Sequence, residues 1–519
     1  MSLPQILYKI TACFAFADAY LFFLHMFQLN SYKPKEQKQW MIKNFRKSVL
    51  PRTFFTLLSV PFLFFHSDLL FFAIFGNLIY FLINLPQKAK KPLVFTPRVK
   101  RMIGSSVVII GILFSLITFF SKRAPAVLLF VPLLLLFPYF FVMLSNYLNQ
   151  PIEKAIRNRY INDAKQILAS MPNLIVIGIT GSYGKTSTKF FLNKLLSAKY
   201  NVLMTPESYN TPMGVVKTIR ENLRATHEIF LCEMGAKNKG DIKEICDIVH
   251  PNHGVITSIG PQHLESFRTI ETILNTKFEL CDSLLQDGII FLNADNEWIA
   301  KRQIEKHAVY YGIENKEKAV FFGDHISVSE KGTDFSISIN GKDSFALSTK
   351  LIGKHNVINL VGCVAVASTL GVSSQDIMLS VKRLEAVPHR LQVIDGGGMI
   401  IIDDAYNSNP SGSKAALEVL REFDGIKIMI TPGMIELGTK QEQCNFDFGV
   451  NAADVCDFVL LVGTTITKSI ADGLLSQNYD KNKLFVFDKL EQALAKARTI
   501  EAIGKKKIVL LENDLPDNY

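Results

Sequence analysis

Apolar positions in the first 150 residues are grouped into five long, nearly unbroken stretches. They lie at about 5–28, 53–66, 69–85, 103–121 and 126–146. A helix needs about 20 apolar residues to cross a bilayer, and stretches of nearly this length with few charges are typical of membrane spans. The pattern therefore predicts a transmembrane helical domain over residues 1–150, with about five spans.

Basic residues are concentrated in the same part of the chain. Residues 1–150 contain 16 Lys and Arg against three acidic residues, whereas the remainder contains 41 basic and 44 acidic residues. Because the net charge of +10 comes from an apolar region, it does not indicate a nucleic-acid partner. The basic loops 29–52 and 86–102 are expected on the cytoplasmic side, which predicts a multi-pass membrane protein with its catalytic part in the cytoplasm.

After residue 150 the apolar runs become short. Residues 151–172 mix basic side chains with spaced isoleucines, which predicts an amphipathic linker helix. From 173 to about 300, β-branched runs alternate with helical stretches, a pattern typical of a parallel sheet. Further strands are expected within 309–348 and near 399–403, 426–431, 458–463, 484–487 and 507–511. The prediction for this part of the chain is an α/β fold.

The first candidate site follows a buried strand. The run 174–179 ends in TGSYGKTST at 180–188, and a helical stretch follows. Strand, glycine-containing loop and helix form the context of a phosphate-binding loop, whose backbone N–H groups surround phosphate oxygens at a helix N-terminus. Lys185 would add a positive charge, and the Thr186 hydroxyl is a suitable Mg²⁺ ligand. The segment predicts nucleotide binding.

A second set of polar residues follows the phosphate loop in the chain. The strand pattern at 229–233 ends in Glu233, and a carboxylate at the end of a strand beside a phosphate loop is a candidate metal ligand. His263 and Lys277 come next, separated by fourteen positions. Each residue alone is equally typical of a protein core or a surface helix, so the prediction rests on their order.

That order resembles the Mur ligase family, ATP-dependent amide-forming ligases of cell-wall precursor synthesis, over about residues 173–510. Within the family, the D-alanyl-D-alanine-adding type is the most similar. Ten blocks carry the resemblance, and they occur here in the family's order. The blocks are TGSYGKTST at 180–188, SYNTPMG at 208–214, CEMGA at 232–236, HLE at 263–265, TKFEL at 276–280, LNADN at 292–296, GKHNVINL at 353–360, PHRLQ at 388–392, DDAYNSNP at 403–410 and PGMIELG at 432–438.

The resemblance implies roles for individual residues. Lys185, Lys277, His263 and Arg390 are expected to be catalytic. Two Mg²⁺ ions are expected, with ligands from Thr186, Glu233, His263 and Lys277, the last as a carbamate. ATP is the expected cofactor, and its contacts are assigned to Gly181, Ser182, Tyr183, Gly184, Lys185, Thr186, Ser187, Asn293, Asn356, Arg390 and Asp404, with Asn407 and Asn409 close by.

The resemblance also implies the reaction and the domain organisation. A carboxylate accepts an amine only after activation, so the family's route through an acyl phosphate fits a site built for phosphoryl transfer. The central P-loop domain with a parallel sheet is expected at 173–387 and a Rossmann-like C-terminal domain at 388–519, after the membrane domain 1–150 and the linker 151–172. The expected location is the bacterial cytoplasmic membrane.

Two departures from the family pattern leave the substrates open. A predicted membrane domain replaces the UDP-sugar-binding domain, so the carboxylate acceptor is expected to be a small molecule or a lipid-linked one. An acid of the PGMIELG block is replaced by Gly433, and Glu512 begins a segment that is basic in the D-alanyl-D-alanine type. The donor is therefore an amino acid or a dipeptide. Other envelope-synthesis proteins are possible partners, and a poly-γ-glutamate-type ligase or a non-catalytic nucleotide-binding scaffold are the alternatives.

Overall fold

The computed structural model describes most of the 519 residues. The described residues are 3–46, 92–121, 138–206, 209–262, 264–406, 408–502 and 504–513. They form two compact units, one that ends at Arg159 and one that begins at Tyr160. His263 and Asn407 lie outside the described residues.

The first unit is helical. Its helices are α1 (Leu3–Leu29), α2 (Pro34–Lys43), α3 (Pro97–Ser121) and the first part of α4 (Pro138–Ala169). Large apolar side chains such as Phe27 and Met102 are fully buried in a shared core. The hydroxyls of Tyr20 and Ser106 are hydrogen bonded at 2.8 Å inside that core. Part of the apolar surface of these helices is therefore buried between them, while other apolar side chains of α3, such as Val107 and Ile112, are exposed.

The predicted membrane domain is wrong for the helices that can be tested. In the parts of the chain that the structure describes, no helix combines the length and the apolarity needed to cross a bilayer. This finding overturns the membrane part of the predicted fold class and the predicted membrane location. The expected spans at 53–66 and 69–85 lie outside the described residues, and so does 126–137 of the last span. Hydropathy alone does not distinguish a helix buried in protein from one buried in lipid.

The second unit begins with a nine-stranded sheet. Its strands, in the order in which they pair, run β2-β3-β1-β4-β5-β6-β7-β8-β9. All pairs are parallel up to β6–β7, and the last two pairs are antiparallel. The strands are β1 (Ile175–Thr180), β2 (Val202–Met204), β3 (Ile229–Glu233), β4 (His253–Ile256), β5 (Ile289–Asn293), β6 (His307–Gly312), β7 (Phe321–Ser329), β8 (Gly332–Ile339) and β9 (Lys342–Thr349).

Helices cover both faces of this sheet, because alternate residues of its central strands are apolar in both directions. In β1, Ile177 and Ile179 pack on one face, and Val176 packs on the other. The helices are α5 (Lys185–Leu196), α6 (Pro212–Asn222), α7 (Asp241–Val249), α8 (Leu264–Phe267), α9 (Ile270–Asp282), α10 (Glu297–Ala300), α11 (Lys354–Thr369) and α12 (Ser374–Lys382).

A second sheet of six strands follows. Its order is β10-β11-β15-β12-β13-β14, and β10 is the antiparallel edge strand. The strands are β10 (Gln392–Asp395), β11 (Met399–Asp404), β12 (Ile426–Thr431), β13 (Phe458–Val462), β14 (Leu484–Phe487) and β15 (Lys507–Glu512). The helices are α13 (Pro410–Arg421), α14 (Gln441–Ala453), α15 (Thr467–Ser476) and α16 (Leu490–Thr499). Five of these six strands lie at the positions that the sequence pattern predicts, and the edge strand β10 was not predicted.

Both sheets present polar residues at the carboxyl ends of parallel strands. In the first sheet, β1 leads into the 181–184 loop and its neighbour β3 ends at Glu233. In the second sheet, Asp404 of β11 is in register with Glu512 of β15. Ligands of open α/β sheets bind beyond the carboxyl ends of the strands, so these residues mark the candidate sites.

Two glycines allow a close approach between α14 and α15. A Cβ at Gly449 would lie 2.1 Å from the Ile470 carbonyl oxygen, and one at Gly473 would lie 2.1 Å from the Phe446 carbonyl oxygen. Gly449→Ala or Gly473→Ala is therefore expected to lower the free energy of unfolding by about 1–3 kcal/mol, because the helices must separate. Urea unfolding measures the loss. The exposed Lys468→Ala of α15 is the matched control and should change it by less than about 0.5 kcal/mol.

Candidate active site

The 181–184 loop is shaped by two glycines with left-handed backbone. Gly181 has φ +147°, and a Cβ there would lie 2.1 Å from Thr257 Oγ1. Gly184 has φ +80° and directly precedes α5. The Ser182 amide donates to the Ser258 carbonyl at 2.7 Å, which fixes the loop against the segment after β4. Residues with side chains would not fit this path, so the loop backbone can approach a phosphate closely.

Lys185 is the first residue of α5, and its side chain folds back over the loop. Its Nζ donates to the carbonyl oxygens of Gly181 at 2.7 Å and Ser182 at 3.1 Å. Burial lowers the pKa of Lys185 to about 8, although the nearby Glu233 carboxylate opposes this and Arg390 adds to it. The amine is thus held at the loop, where an anionic ligand would replace the carbonyl contacts.

Glu233 is the centre of the polar cluster below the loop. Its Oε1 accepts hydrogen bonds from the Thr186 hydroxyl and from Asn210 Nδ2, both at 3.1 Å. Its Oε2 forms an ion pair with Lys189 Nζ at 2.9 Å, and both side chains are at most 1% exposed. Although burial opposes the charge, the nearby ammonium groups of Lys189 and Lys185 hold the pKa of Glu233 below its usual value. The structure therefore brings Thr186 and Glu233, two of the predicted metal ligands, into contact.

Lys277 lies in the middle of α9 and is buried. Burial holds its pKa well below the ordinary lysine value, and the charge of Lys185 lowers it further. Lys277 also interacts electrostatically with Glu233. Burial and the charge of Lys185 therefore favour the neutral form of this amine.

Arg390 connects the second sheet to the phosphate loop. Its Nη2 donates to the Thr186 hydroxyl at 3.3 Å, and its guanidinium lies 4.4 Å from the centre of the Tyr406 ring. Asp404 accepts a hydrogen bond from the Leu391 amide at 3.2 Å. Burial raises the pKa of Asp404 to about 6, while the nearby Arg390 opposes the rise. Arg390 and Asp404 therefore lie together at the same side of the site.

The remaining predicted contacts are more distant or are turned away. Asn293 donates to the Thr257 carbonyl at 2.9 Å, next to the loop. Asn356 instead donates to the carbonyl of Ile352 at 3.0 Å, within its own segment. Asn409 caps α13 by accepting from the Gly412 amide. Ser187 is buried in the first turn of α5.

Three residues of the cluster are absent from the sequence prediction. Lys189 and Asn210 both bind Glu233, and Asn359 Oδ1 would lie 2.7 Å from a Cβ at Gly184. Lys189 had a local signal, since it follows Lys185 by four positions and so shares its helix face. Asn359 also had a local signal, since it follows the predicted contact Asn356 by three positions on α11. In the structure it is Asn359 that lies next to the loop.

Metal ligands are incomplete within the described residues. Among them, no group of three or more His, Cys, Asp or Glu side chains could hold a metal ion. The hydroxyl oxygen of Thr186 and the carboxylate oxygen Oε1 of Glu233 nevertheless lie 3.1 Å apart and provide two oxygen atoms. His263, the third predicted ligand, lies outside the described residues.

Comparison with known families identifies this arrangement. The Mur ligase middle domain matches residues 179–367, and the Mur ligase glutamate ligase domain matches residues 389–512. The chain belongs to the Mur ligase family. The UDP-N-acetylmuramoyl-tripeptide–D-alanyl-D-alanine ligase of Escherichia coli (strain K12) is 30% identical over 342 residues, which cover 65% of this chain and 75% of the relative. The Bacillus subtilis (strain 168) ligase of the same name is 30% identical over 314 residues, 60% of this chain and 66% of the relative.

Solved structures agree with this assignment. MurF from Acinetobacter baumannii has a TM-score of 0.62 and 26% identity, and the match covers 70% of this chain and 78% of that one. MurF ligase from Thermotoga maritima, solved in complex with ADP, has a TM-score of 0.61 and 25% identity over 69% of this chain and 80% of that one. The chain is therefore an ATP-binding, ADP-forming ligase of the acid–amino-acid type.

The buried pair of Lys189 and Glu233 supports a stability prediction. Lys189→Met leaves the Glu233 carboxylate without its ion-pair partner, and breaking a buried pair in this way costs about 3–5 kcal/mol. Urea unfolding should show this loss, and adding Glu233→Gln should restore part of it because no charge then remains unpaired. Lys217→Met, which removes an exposed pair with Glu221 at 3.9 Å, is the matched control and should cost less than about 1 kcal/mol.

Nucleotide affinity is expected to depend on pH through Lys185. Because the pKa of this buried amine is about 8, it becomes neutral as pH rises through that value, and phosphate binding then requires proton uptake. The affinity for ADP should therefore fall between about pH 8 and about pH 9.5, by up to about tenfold per pH unit. Calorimetry in buffers with different ionisation enthalpies detects the proton uptake. An equal slope in Lys185→Met would contradict the assignment.

Proposed function

We propose that this chain joins an amino acid or dipeptide to the carboxylate of a cell-wall precursor through an acyl phosphate. The observation that supports this most directly is the Thr186 hydroxyl, which contacts both Glu233 of the first sheet and Arg390 of the second. A phosphate loop, a buried carboxylate and an arginine thus converge at one oxygen. The catalytic domains are proposed to extend over 173–387 and 388–519.

Phosphoryl transfer requires positioning and charge neutralisation more than covalent catalysis. We assign the neutralisation to Lys185 and Arg390. The N–H groups of residues 184–187 at the start of α5 would hold the phosphates, and Arg390 would contact them from the side of the second sheet. Asn293 and Asn356 stay proposed nucleotide contacts, and Asp404 would orient Arg390. The product of this step would be an acyl phosphate, in which phosphate replaces oxide as the leaving group.

The residues present fit a magnesium ion. Mg²⁺ prefers hard oxygen ligands and keeps several waters, so two protein oxygens are sufficient. The hydroxyl of Thr186 and the carboxylate of Glu233 would hold it, with His263 as a further proposed ligand. When bound, the ion neutralises charge on the transferring phosphoryl group.

Lys277 suits the proposed carbamate. Carbamate formation joins a neutral amine to carbon dioxide and releases one proton, so it requires an amine with a lowered pKa. The burial of Lys277 and the charge of Lys185 provide this condition. The carbamate would supply oxygens to a second magnesium ion, which an ammonium group does not do.

We propose UDP-N-acetylmuramoyl-tripeptide as the acceptor and D-alanyl-D-alanine as the donor, because the relatives are named for these substrates. The lipid-linked acceptor was inferred from membrane spans that the described helices do not provide. The donor side differs from the family pattern at Gly433, where a Cβ would lie 2.8 Å from Ile466 Cγ2. An acidic side chain does not fit there without a shift of its neighbours.

Enzyme assay with the purified chain tests the proposal. ADP and phosphate should form only when ATP, Mg²⁺, the UDP-linked tripeptide and D-alanyl-D-alanine are all present, and mass spectrometry should detect the pentapeptide product. Replacing D-alanyl-D-alanine by single amino acids tests the donor. Absence of ADP formation with every acceptor and donor pair would refute the proposed function.

Lys277→Ala is expected to abolish amide formation, with a loss of about 100-fold or more, while ADP affinity changes little. The reason is that the carbamate serves the metal and the phosphate loop holds the nucleotide. Native incubation with ¹³C-labelled bicarbonate should label the wild type and leave Lys277→Ala unlabelled. Lys301→Ala, at an exposed position, is the matched control. Unchanged turnover of Lys277→Ala would exclude the second metal site.

A further inference from the structure

A histidine and an aspartate form a dyad next to Arg390. His389 Nδ1 lies 2.7 Å from Asp403 Oδ2. The Asp403 side chain is 9% exposed and its Oδ1 also accepts the Ala405 amide, whereas the His389 side chain is 61% exposed. The carboxylate is therefore fixed and holds one ring nitrogen, while the other nitrogen, Nε2, remains accessible. This is the arrangement in which a carboxylate orients a histidine for proton transfer.

The backbone on both sides of Arg390 is strained. His389 has φ +58° and Leu391 has φ +50°, although neither is glycine. Two hydrogen bonds hold this conformation, from the Tyr406 amide to the His389 carbonyl and from the Leu391 amide to the Asp404 carboxylate, both at 3.2 Å. Such strain costs about 1–3 kcal/mol per residue and persists where surrounding contacts impose it, commonly at functional sites.

The strained segment brings the dyad to the catalytic cluster. Arg390 donates to the Thr186 hydroxyl of the phosphate loop, and His389 is its immediate neighbour in the chain. The dyad therefore lies at the side of the site that belongs to the second sheet. Thr186 and Glu233 occupy the inner side of the phosphate loop. The donor amine must therefore approach the acyl phosphate from the outer side.

The ligase reaction requires a proton acceptor. An amino acid or dipeptide is bound as its ammonium form near neutral pH, and an ammonium nitrogen has no lone pair for attack. We propose that His389, oriented by Asp403, accepts this proton from the donor ammonium. This inference rests on the proposed function, since it concerns the second half of the same reaction.

The proton and electron balance is as follows. The donor ammonium transfers one proton to His389 Nε2 and becomes a neutral amine. Its lone pair forms the new C–N bond, and the C–O bond to the phosphate breaks. The second proton lost by the nitrogen goes to the leaving phosphate, which departs as hydrogen phosphate. The imidazolium then releases its proton to solvent.

The nearby carboxyl groups are less suited to this role. Glu512 is 0% exposed and donor molecules do not reach it. Asp404 already accepts the Leu391 amide and lies beside Glu512, whose carboxyl shares its strand-end position. Arg390, Asp403 and Asp404 are the charged groups around the histidine. Among these four side chains, His389 combines 61% exposure with a second ring nitrogen that does not contact Asp403.

Two nucleophiles distinguish proton acceptance from a structural role. D-alanyl-D-alanine enters as an ammonium, whereas hydroxylamine is mostly unprotonated near neutral pH and needs no base. His389→Asn should keep the hydrogen bond to Asp403, because its amide nitrogen takes the place of Nδ1, but it cannot accept a proton. Its turnover with D-alanyl-D-alanine is expected to fall about 100-fold, the usual contribution of a general base, while hydroxamate formation stays within about threefold of wild type.

Two further variants serve as controls for the experiment on His389. Asp403→Asn should show the same selective loss to a smaller extent, and His325→Asn, at an exposed histidine bonded to Ser336, should behave as wild type. Equal losses with both nucleophiles, or no loss with D-alanyl-D-alanine, would overturn the inference while the ligase function stands. If wild type forms neither amide nor hydroxamate, the proposed function fails and the inference fails with it.

Discussion

The buried carboxylate of Glu233 is the interaction on which the candidate site depends. An ionised carboxylate at 1% exposure is stable only when its oxygens are paired, and here the partners come from two segments. Thr186 and Lys189 come from α5 and Asn210 from the segment before α6. One buried charge therefore fixes the phosphate-loop helix, the end of β3 and the approach to α6 relative to each other.

The Thr186 hydroxyl extends this arrangement to the second sheet. It donates its proton to Glu233 and accepts one from Arg390, so both of its hydrogen-bonding functions are in use. Arg390 in turn lies between two residues with left-handed backbone. The position of Arg390 is thus determined by its backbone as well as its side chain, which limits the orientations in which it can approach the loop.

Local patterns predicted the phosphate loop, Glu233 and most strands of both sheets, because each depends on neighbours in sequence. The pairing of His389 with Asp403 depends on residues that are distant in the chain, so no local pattern revealed it. The membrane prediction was wrong for the described helices, and it rested on hydropathy, which does not distinguish burial in protein from burial in lipid. In the described part of the first unit, Phe27 and Met102 are buried among neighbouring helices.

The charges around the site explain why a change of Lys277 from a cation to an anion would be favourable. Burial and the charge of Lys185 lower the pKa of Lys277, while burial and the charge of Arg390 lower the pKa of Lys185. Lys189 already neutralises the Glu233 carboxylate. The phosphate chain of a bound nucleotide would reduce this excess of positive charge at Lys185 and Arg390, because it carries several negative charges to the loop. Two magnesium ions would restore the excess unless another anion is added. The proposed carbamate on Lys277 would convert the least stable cation of the cluster into that anion, and nucleotide and metal binding would then be electrostatically compatible.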